Sequence, residues 1–560
     1  MPSHVLGISA LYHDAAACLL RDGEIVLAVE EERLSRIKHD HAYPTRAVAA
    51  CLDAAGLAAA DVDAVVFYEK TLPKLERQLH GWIGGFPRSF TAFVRGMSRY
   101  LDGRLDLGRW LANKGGFRGE ILFSEHHLSH AAFAFFSSPF PEALVLVADG
   151  VGEWATTSVW SAGPGGITPE REIRFPDSLG LFYSLITAHL GFRVNEDEYK
   201  VMGLAAYGED SFAREMETLL PFGDEGAFRL ERRFLDPGGS TRLGTAALDA
   251  LLGPPRPRGA PIEARHQDLA RSAQLRLEEA LLRIEATLPA GRPLCLAGGV
   301  ALNGAANARL AERRPIFVPF APGDSGAAIG AAYVGWFLAG ADRGRPQRVT
   351  PFLGPTFGAS AAAEAARAEG LAVTPLAELG GDTFVAEKLA AGAIVGWFDG
   401  PMEFGPRALG GRSILADPRR AEVRDIVNAR VKHREAFRPF APAILEERVG
   451  ELCEDGRPVP WMTEIRSIRP SQRAVIPAVV HVDGTARVQT VNALASPRLH
   501  ALLRAFAART GVPVLLNTSF NVAGEPIVGS PADACRCFRK AGLDGLVLGE
   551  LWIEASEAPR

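Results

Sequence analysis

Residues 293–340 read PLCLAGGVALNGAANARLAERRPIFVPFAPGDSGAAIGAAYVGWFLAG. PLCLAGG is a strand and turn, VALNGAANARLAE a helix, IFVPFAP a strand and SGAAIGAAYVGWFLAG a small-residue helix. Strand, glycine turn and helix therefore repeat, which is the grammar of an α/β domain. Just upstream, residues 264–288 carry Leu269, Leu275, Leu277, Leu281 and Ile284 among charged neighbours, a helical spacing. Farther back, VLGISA, DAVVFY, EILFSE and EALVLVAD read as strands and Thr45 to Ala55 as a helix. AACLLRDGEIVLAVE sets Asp22-Gly23 between two apolar segments, a hairpin signal. Downstream, residues 340–358 are rich in Gly, Pro and Arg, and the helix AAAEAARAEG opens a new α/β pattern. This predicts two domains, 1–345 and 346–560.

A chain of 560 residues is too long for one hydrophobic core. Its 47% apolar and 23% charged residues fit a soluble globular protein. A formal net charge of -5 gives no overall basic footprint for nucleic acid. No apolar run is long enough to span a membrane, and the N-terminus has no signal-peptide pattern, so a cytoplasmic protein is expected. The six cysteines are scattered without a CxxC pair, which makes a zinc finger or a disulfide framework unexpected.

SEHHLSHAAFAFF holds His126 and His130 at i and i+4, on one helical face, a spacing that can place two imidazoles on one ion. Asp149 follows the strand ALVLVA, and Asp324 lies in the turn PGDSGAA. Two imidazoles and two carboxylates form a borderline donor set open to iron, zinc or manganese. Such a set requires that the two aspartates converge on the histidines; otherwise the latter are polar residues of a half-buried helix.

Four glycine-rich stretches, VADGVGEW, YKVMGLAAYG, LAGGVALN and PGDSGAA, read as strand-to-helix turns whose backbone N–H groups suit phosphate. No Walker A motif is present. Four such turns after a hairpin point to the actin-like ATPase superfamily. In the second half, Arg407, Arg412, Lys432, Arg434, Arg438 and Arg487 stand among apolar or small residues, where a solvated face is a poor explanation. With Asn517, Thr518, Ser519 and Asn521 they suit an anion, against structural ion pairing as the alternative. Near the N-terminus, His13 in Tyr12-His13-Asp14 can deprotonate a hydroxyl. EEERLSRIKHD, ending near Lys38, would ordinarily be a solvated face. YEKTLPKLERQL adds Lys70, Lys74 and Arg77 as phosphate contacts or as an exposed helix.

These motifs resemble the NodU/CmcH-type O-carbamoyltransferases nearly end to end: GISALYHDAAACLL, EEERLSRIKHD, YEKTLPKLER, HHLSHA, SLGLFYS, EYKVMGLAAYG, GGVALN, PGDSGAA, EFGPRALGGRSILADPR, KHREAFRPFAP, DGTARVQTV and LNTSFN. The resemblance implies an actin-like (ASKHA) domain followed by a YrdC-like twisted α/β domain. It implies that the second takes carbamoyl phosphate and ATP with Mg, and forms carbamoyl-adenylate. That intermediate passes to the first domain, where the hydroxyl of a small-molecule acceptor attacks it. By matched motif, His13 is the general base. His126, His130, Asp149 and Asp324 hold a divalent metal, often Fe(II). Lys38, Lys74 and Arg77 contact phosphate, while Arg407, Arg412, Lys432, Arg438, Arg487, Asn517, Ser519 and Asn521 bind carbamoyl phosphate and ATP. Glu198, Gly203, Gly298, Gly299 and Asn303 line the adenylate pocket. Family members can pair, so a homodimer is allowed. The segment 88–117, RSFTAFVRGMSRYLDGRLDLGRWLANKGGF, varies within the family and receives no role.

Three other readings compete. Threonylcarbamoyl transfer to tRNA uses the same two folds, but the acidic net charge argues against a tRNA partner. Hydrogenase maturation would need paired zinc-finger cysteines, which are missing. A non-catalytic nucleotide-binding protein would not need the candidate base, ligands and arginines together. The acceptor is not legible in the sequence.

Overall fold

In a computed structural model, the chain is described over residues 4–87, 89–101, 104–236, 242–338, 349–432, 435 and 437–555. Residues 340–348 of the expected linker, and Arg434, lie outside these residues. Two compact units form. One comprises Met1–Leu11, Ala16–Val26 and Cys51–Arg348; the other comprises Tyr12–Ala15, Leu27–Ala50 and Val349–Arg560. The grouping differs from a single cut near 345: the segments carrying His13 and Lys38 belong with the C-terminal unit.

The first ten strands make two five-stranded mixed sheets. The first contains β1 (His4–Ser9), β2 (Ala16–Arg21), β3 (Glu24–Glu30), β4 (Ala64–Phe67) and β5 (Glu120–Phe123), in the order β3-β2-β1-β4-β5. β1 runs antiparallel to β2 and parallel to β4. The second contains β6 (Ala143–Ala148), β7 (Ala155–Gly163), β8 (Gly166–Arg174), β9 (Leu294–Ala297) and β10 (Ile316–Phe317), in the order β10-β9-β6-β7-β8. Asp22 and Gly23 both take positive φ, as a tight hairpin between right-twisted strands requires.

Helix Gly326–Leu338 packs on β1, β2 and β4, helix His126–Ser137 packs on β6 and β9, and the two helices pack on each other. Their small residues explain the approach. A Cβ at Gly330 would fall 1.7 Å from the Ser129 carbonyl oxygen, and one at Gly7 would fall 2.0 Å from that of Ala328. The backbones therefore meet directly, and this seam sets the starts of the two helices, where the candidate ligands sit.

Four local expectations need correction. VALNGAANARLAE is not one helix: a short turn over Gly299–Leu302 precedes the helix Gly304–Ala311, because the Asn303 side chain accepts the Ala306 N–H at 3.0 Å and caps it. Only Ile316–Phe317 of IFVPFAP pairs as a strand; Pro319 cannot donate to a ladder. VADGVGEW joins β6 to β7, strand to strand, and Gly203 lies inside the helix Glu198–Leu204 rather than in a turn.

The second unit is built on an eight-stranded mixed sheet. In chain order its strands are β11 (Thr374–Pro375), β12 (Val395–Phe398), β13 (Arg412–Ala416) and β14 (Ala441–Leu445). A separate ladder of β15 (Ile465–Ser467) and β16 (Thr485–Arg487) follows, then β17 (Gln489–Val491), β18 (Val514–Ser519), β19 (Gly545–Leu548) and β20 (Leu551–Glu554). The spatial order is β11-β20-β19-β12-β13-β18-β14-β17. Alternate residues feed two cores. Phe398, Ile414 and Leu516 join one with the helix Pro531–Ala541, while Trp397, Leu415 and Leu515 join the other with the helix Pro497–Thr510. A sheet buried on both faces explains the near-continuous apolar strands.

Candidate functional site

β6 ends at Ala148 and delivers Asp149 from its end; His126 opens its helix, with His130 one turn on, and Asp324 precedes the helix Gly326–Leu338. The four converge, with ligand atoms all within 4.8 Å of one another. Nε2 of His126 lies 2.9 Å from Asp149 Oδ2 and 3.6 Å from Asp324 Oδ1. Nε2 of His130 lies 3.6 Å and 3.4 Å from the same two oxygens, and 3.2 Å from Nε2 of His126. Donors about 2.1 Å from a shared ion stand ~3.0 Å apart at a right angle and ~3.4 Å apart at a tetrahedral one. The observed separations match those edges, so the residues fit one divalent ion.

Electrostatics agrees. Two buried imidazole nitrogens facing each other at 3.2 Å need a proton or a cation between them. Burial depresses the His130 imidazolium, but hydrogen bonds to Asp149 and Asp324 override it and push its pKa up to about 9. Burial raises Asp149, yet both histidines hold it well below the ordinary carboxylate range. The cluster demands positive charge, and a metal ion meets that demand without a proton. His127 belongs to a different environment. Its Nδ1 is 2.7 Å from Ser158 Oγ, and burial together with the charge of His126 pushes it down to about 3.

A second layer surrounds His126. Glu153 accepts its backbone N–H at 3.0 and 3.2 Å and that of Lys70 at 2.8 Å. Buried Glu69 stands 3.9 Å from its Nδ1, and Lys74 Nζ donates to both Glu69 oxygens at 2.7 Å. Arg77 donates to the Glu153 carbonyl and lies over the Phe175 ring. Lys74 and Arg77 thus support the cluster's neighbours rather than standing on an exposed helix. Gly299 N–H donates to Asp149 Oδ1 at 3.0 Å. Gly298 has φ +86, and a Cβ there would sit 2.3 Å from the Ala148 carbonyl, so only glycine lets this turn reach Asp149. Asn303 forms a reciprocal amide pair with Gln274 (2.8 and 3.0 Å). Glu198 accepts from Ser184 and from Asn195 N–H. Sequence reasoning missed Glu69 and Glu153. Glu69 follows β4 as Asp149 follows β6, and that strand-end position was the available signal.

In the second unit, His13 Nδ1 is 3.0 Å from Asp14 Oδ2 and His39 Nδ1 is 2.7 Å from Asp14 Oδ1. Lys38 is exposed. The run 30–40 is not a solvated face: Glu30 and Arg33 form a buried pair at 3.0 Å, and Arg33 donates to the Gly405 carbonyl at 2.7 Å.

The expected anion residues divide into groups. Lys432 Nζ donates to the Ser519 carbonyl and hydroxyl, the Asn521 carbonyl (2.9 Å) and Asn521 Oδ1 (2.8 Å). Arg412 is fully buried; its Nη1 donates to the carbonyls of Asp399, Gly400 and Gly411, and it stacks on Phe398. Burial pulls its pKa down to about 10. Asn517 donates to the Ala408 carbonyl at 3.1 Å and to Gln489 Oε1 at 2.7 Å. Buried Glu403, unanticipated, accepts the N–H groups of Leu409, Gly411 and Arg412 and sets the same loop. Arg407, Arg438 and Arg487 are half-buried, with Arg438 3.6 Å from Glu435.

The chain matches Carbamoyltransferase N-terminus over residues 4–333 and Carbamoyltransferase C-terminus over residues 386–555. A Synechocystis relative, an uncharacterized protein, is 42% identical over all of this chain and 98% of its own. Nodulation protein NolNO of Sinorhizobium fredii is 39% identical over 98% of this chain and 79% of its own. Nodulation protein U of the same organism is 29% identical over 95% and 96%. Likeness to solved structures is slight: the Acidaminococcus fermentans (R)-2-hydroxyglutaryl-CoA dehydratase component A, 16% identical, covers 60% of this chain and 98% of its own at a TM-score of 0.33, which assigns no fold. With both halves matched and relatives aligned end to end, the chain belongs to the carbamoyltransferase family and is a carbamoyltransferase.

Proposed function

We propose that the enzyme is an ATP-dependent O-carbamoyltransferase acting on a hydroxyl of a sugar or other natural product. In a YrdC-like C-terminal domain (346–560), water releases phosphate from carbamoyl phosphate, and the carbamate formed attacks the α-phosphate of ATP, giving carbamoyl-adenylate and expelling pyrophosphate. The carbamoyl group then moves to the acceptor in an actin-like N-terminal domain (1–345). The supporting observation is the convergence of His126, His130, Asp149 and Asp324 in a chain of this family. These four would hold a divalent ion, which we take to be Fe(II); when bound, it supplies positive charge for a phosphate oxygen. In the transfer step, the acceptor oxygen bonds to the carbamoyl carbon. The bond from that carbon to the phosphate oxygen breaks, AMP departs with the electron pair, and the hydroxyl proton passes to His13.

Lys38, Lys74 and Arg77 serve phosphate near the transfer site, Lys74 and Arg77 also ordering the second layer around His126. Arg407, Arg438, Arg487, Asn517, Ser519 and Asn521 serve carbamoyl phosphate and ATP, with Arg412 and Lys432 setting the segments they share. Glu198, Gly203, Gly298, Gly299 and Asn303 shape the adenylate pocket. The partner is a small molecule, not nucleic acid or membrane, in the cytoplasm, and the enzyme works as a monomer or homodimer. Among the described residues, no helix is long and apolar enough to cross a membrane.

The test is His13→Ala. Transfer is expected to disappear while pyrophosphate release from ATP, dependent on carbamoyl phosphate, continues; loss of both would overturn this division of labour.

A further inference from the structure

We propose that Asp14 and His39 are positioning residues for His13: Asp14 bridges the two imidazoles and holds His13 as the Nδ1–H tautomer, with its lone pair on Nε2. The inference rests on His13 being the base that receives the acceptor's proton. The two oxygens of Asp14 are divided, Oδ2 to His13 Nδ1 at 3.0 Å and Oδ1 to His39 Nδ1 at 2.7 Å. A carboxylate only accepts, so each ring must present N–H at Nδ1. For neutral His13 that places the basic lone pair on Nε2, the tautomer logic of a base oriented by a carboxylate.

The backbone around the bridge is built for it. Asp14 and His39 sit at φ +51 and +54, and Arg36 at +63, three of the eight non-glycine residues at positive φ among those described. Side-chain-bearing residues keep that conformation only where their surroundings over-determine it, and such residues gather at functional sites. Three hydrogen bonds do so here. Ala15 N–H donates to the Asp40 carbonyl at 2.8 Å, Glu31 N–H to the Ala15 carbonyl at 2.8 Å, and His39 N–H to Glu32 Oε2 at 2.8 Å. Ala15, next to Asp14, is thereby tied to Asp40, next to His39, and His39 is tied to Glu32 within its own run.

Charge completes the device. Glu30, Glu32, Arg33 and Lys38 surround the bridge with Asp14 and both histidines. Burial lowers His39, but its bond to Asp14 outweighs this and raises it, while Asp14 is held well below the usual carboxylate range despite burial. His39 therefore holds its proton more firmly than a free imidazole does, and it shares the carboxylate with His13. Sharing the carboxylate tempers the pull of Asp14 on the His13 ring.

Two measurements on the full chain test this. Long-range 1H–15N spectra of histidine-labelled protein, with His13 assigned by its loss in His13→Asn, are expected to show Nδ1–H at His13; Asp14→Asn mixes or reverses the tautomer. In transfer assays, Asp14→Asn is expected to lower kcat roughly 10²–10⁴-fold with KM little changed and to move the acid limb of the pH profile to lower pH. His39→Gln moves that limb to higher pH, because the undivided carboxylate binds the His13 proton more tightly. Carbamoyl-phosphate-dependent pyrophosphate release stays unchanged in both. If Asp14→Asn does not fold, His39→Gln carries the test alone. An Nε2–H tautomer at His13, or variants that leave tautomer and pH limbs unmoved, would overturn the proposal, as would stoichiometric binding of added Zn(II) at Asp14, Glu32 and His39. If the tautomer depends on Asp14 but His13→Asn still transfers, the positioning holds and the reading of His13 as base fails.

Discussion

In the first unit, two imidazoles and two carboxylates turn towards one point; in the second, Arg412 and Lys432 turn towards main-chain and side-chain oxygens of their own unit. Both groups are buried, and burying charge is costly without compensation. The lysine finds it within the fold, and so does Nη1 of the arginine, although the buried Nε of Arg412 has no partner among the described residues. The cluster finds only partial compensation, with two nitrogens facing each other at 3.2 Å. A buried charged cluster therefore marks a ligand site when two of its nitrogens are left facing each other, and a buried cation is a structural pin when it points at the protein's own oxygens.

The comparison breaks most visibly at Asp149. Asp149→Asn is expected to empty the site of metal and lower transfer roughly 10²–10³-fold, the scale of losing one transition-state contact, with the fold retained. Elemental analysis with a transfer assay checks this, and unchanged metal content would place the ion elsewhere. Arg412→Met should do the reverse. Leaving the carbonyls of Asp399, Gly400 and Gly411 unsatisfied costs about 2–4 kcal/mol of stability, read by denaturant unfolding. A fully stable variant with a raised KM for ATP would make Arg412 a ligand contact instead. Glu69→Gln sharpens the account of the second layer, with metal affinity expected to fall roughly tenfold, as for outer-shell partners generally.

A pH contrast separates two histidines of one helix in metal-free protein. His127, pushed down to about 3, is neutral in the fold. Its stability contribution is full above an unfolded pKa of about 6.5 and is lost as pH falls from there towards 3, by at most roughly 1.4 kcal/mol per pH unit. His130, pushed up to about 9, runs oppositely: its contribution is full below about 6.5 and is lost as pH rises through 9. Unfolding across pH is expected to show His127→Gln flattening the acid side and His130→Gln the alkaline side; the same change from both would contradict the contrast.

Much of this was legible in the sequence because it is periodic. The helix Thr45–Ala55, the Asp22-Gly23 hairpin and the histidine pair follow from spacings of 3.6, two and four residues. What escaped depends on partners far along the chain. Nothing local tells that Arg412 is spent on carbonyls, that Glu69 faces His126, or that Glu30, Glu31, Arg33 and Asp40 of the charge run are buried. Gly203 read as a turn because glycine marks turns, yet a helix tolerates one. Asn303 shortened a helix by capping it from inside an apolar run.

The most direct test of carbamoyl transfer from an adenylate is to supply the metal-loaded enzyme with carbamoyl phosphate, ATP and a panel of hydroxylated sugars and natural products, following AMP and product mass together. The account predicts AMP and an acceptor heavier by one carbamoyl group in equal amounts, both requiring carbamoyl phosphate. A carbamoylated product formed without ATP cleavage, or with ADP in place of AMP, would contradict it.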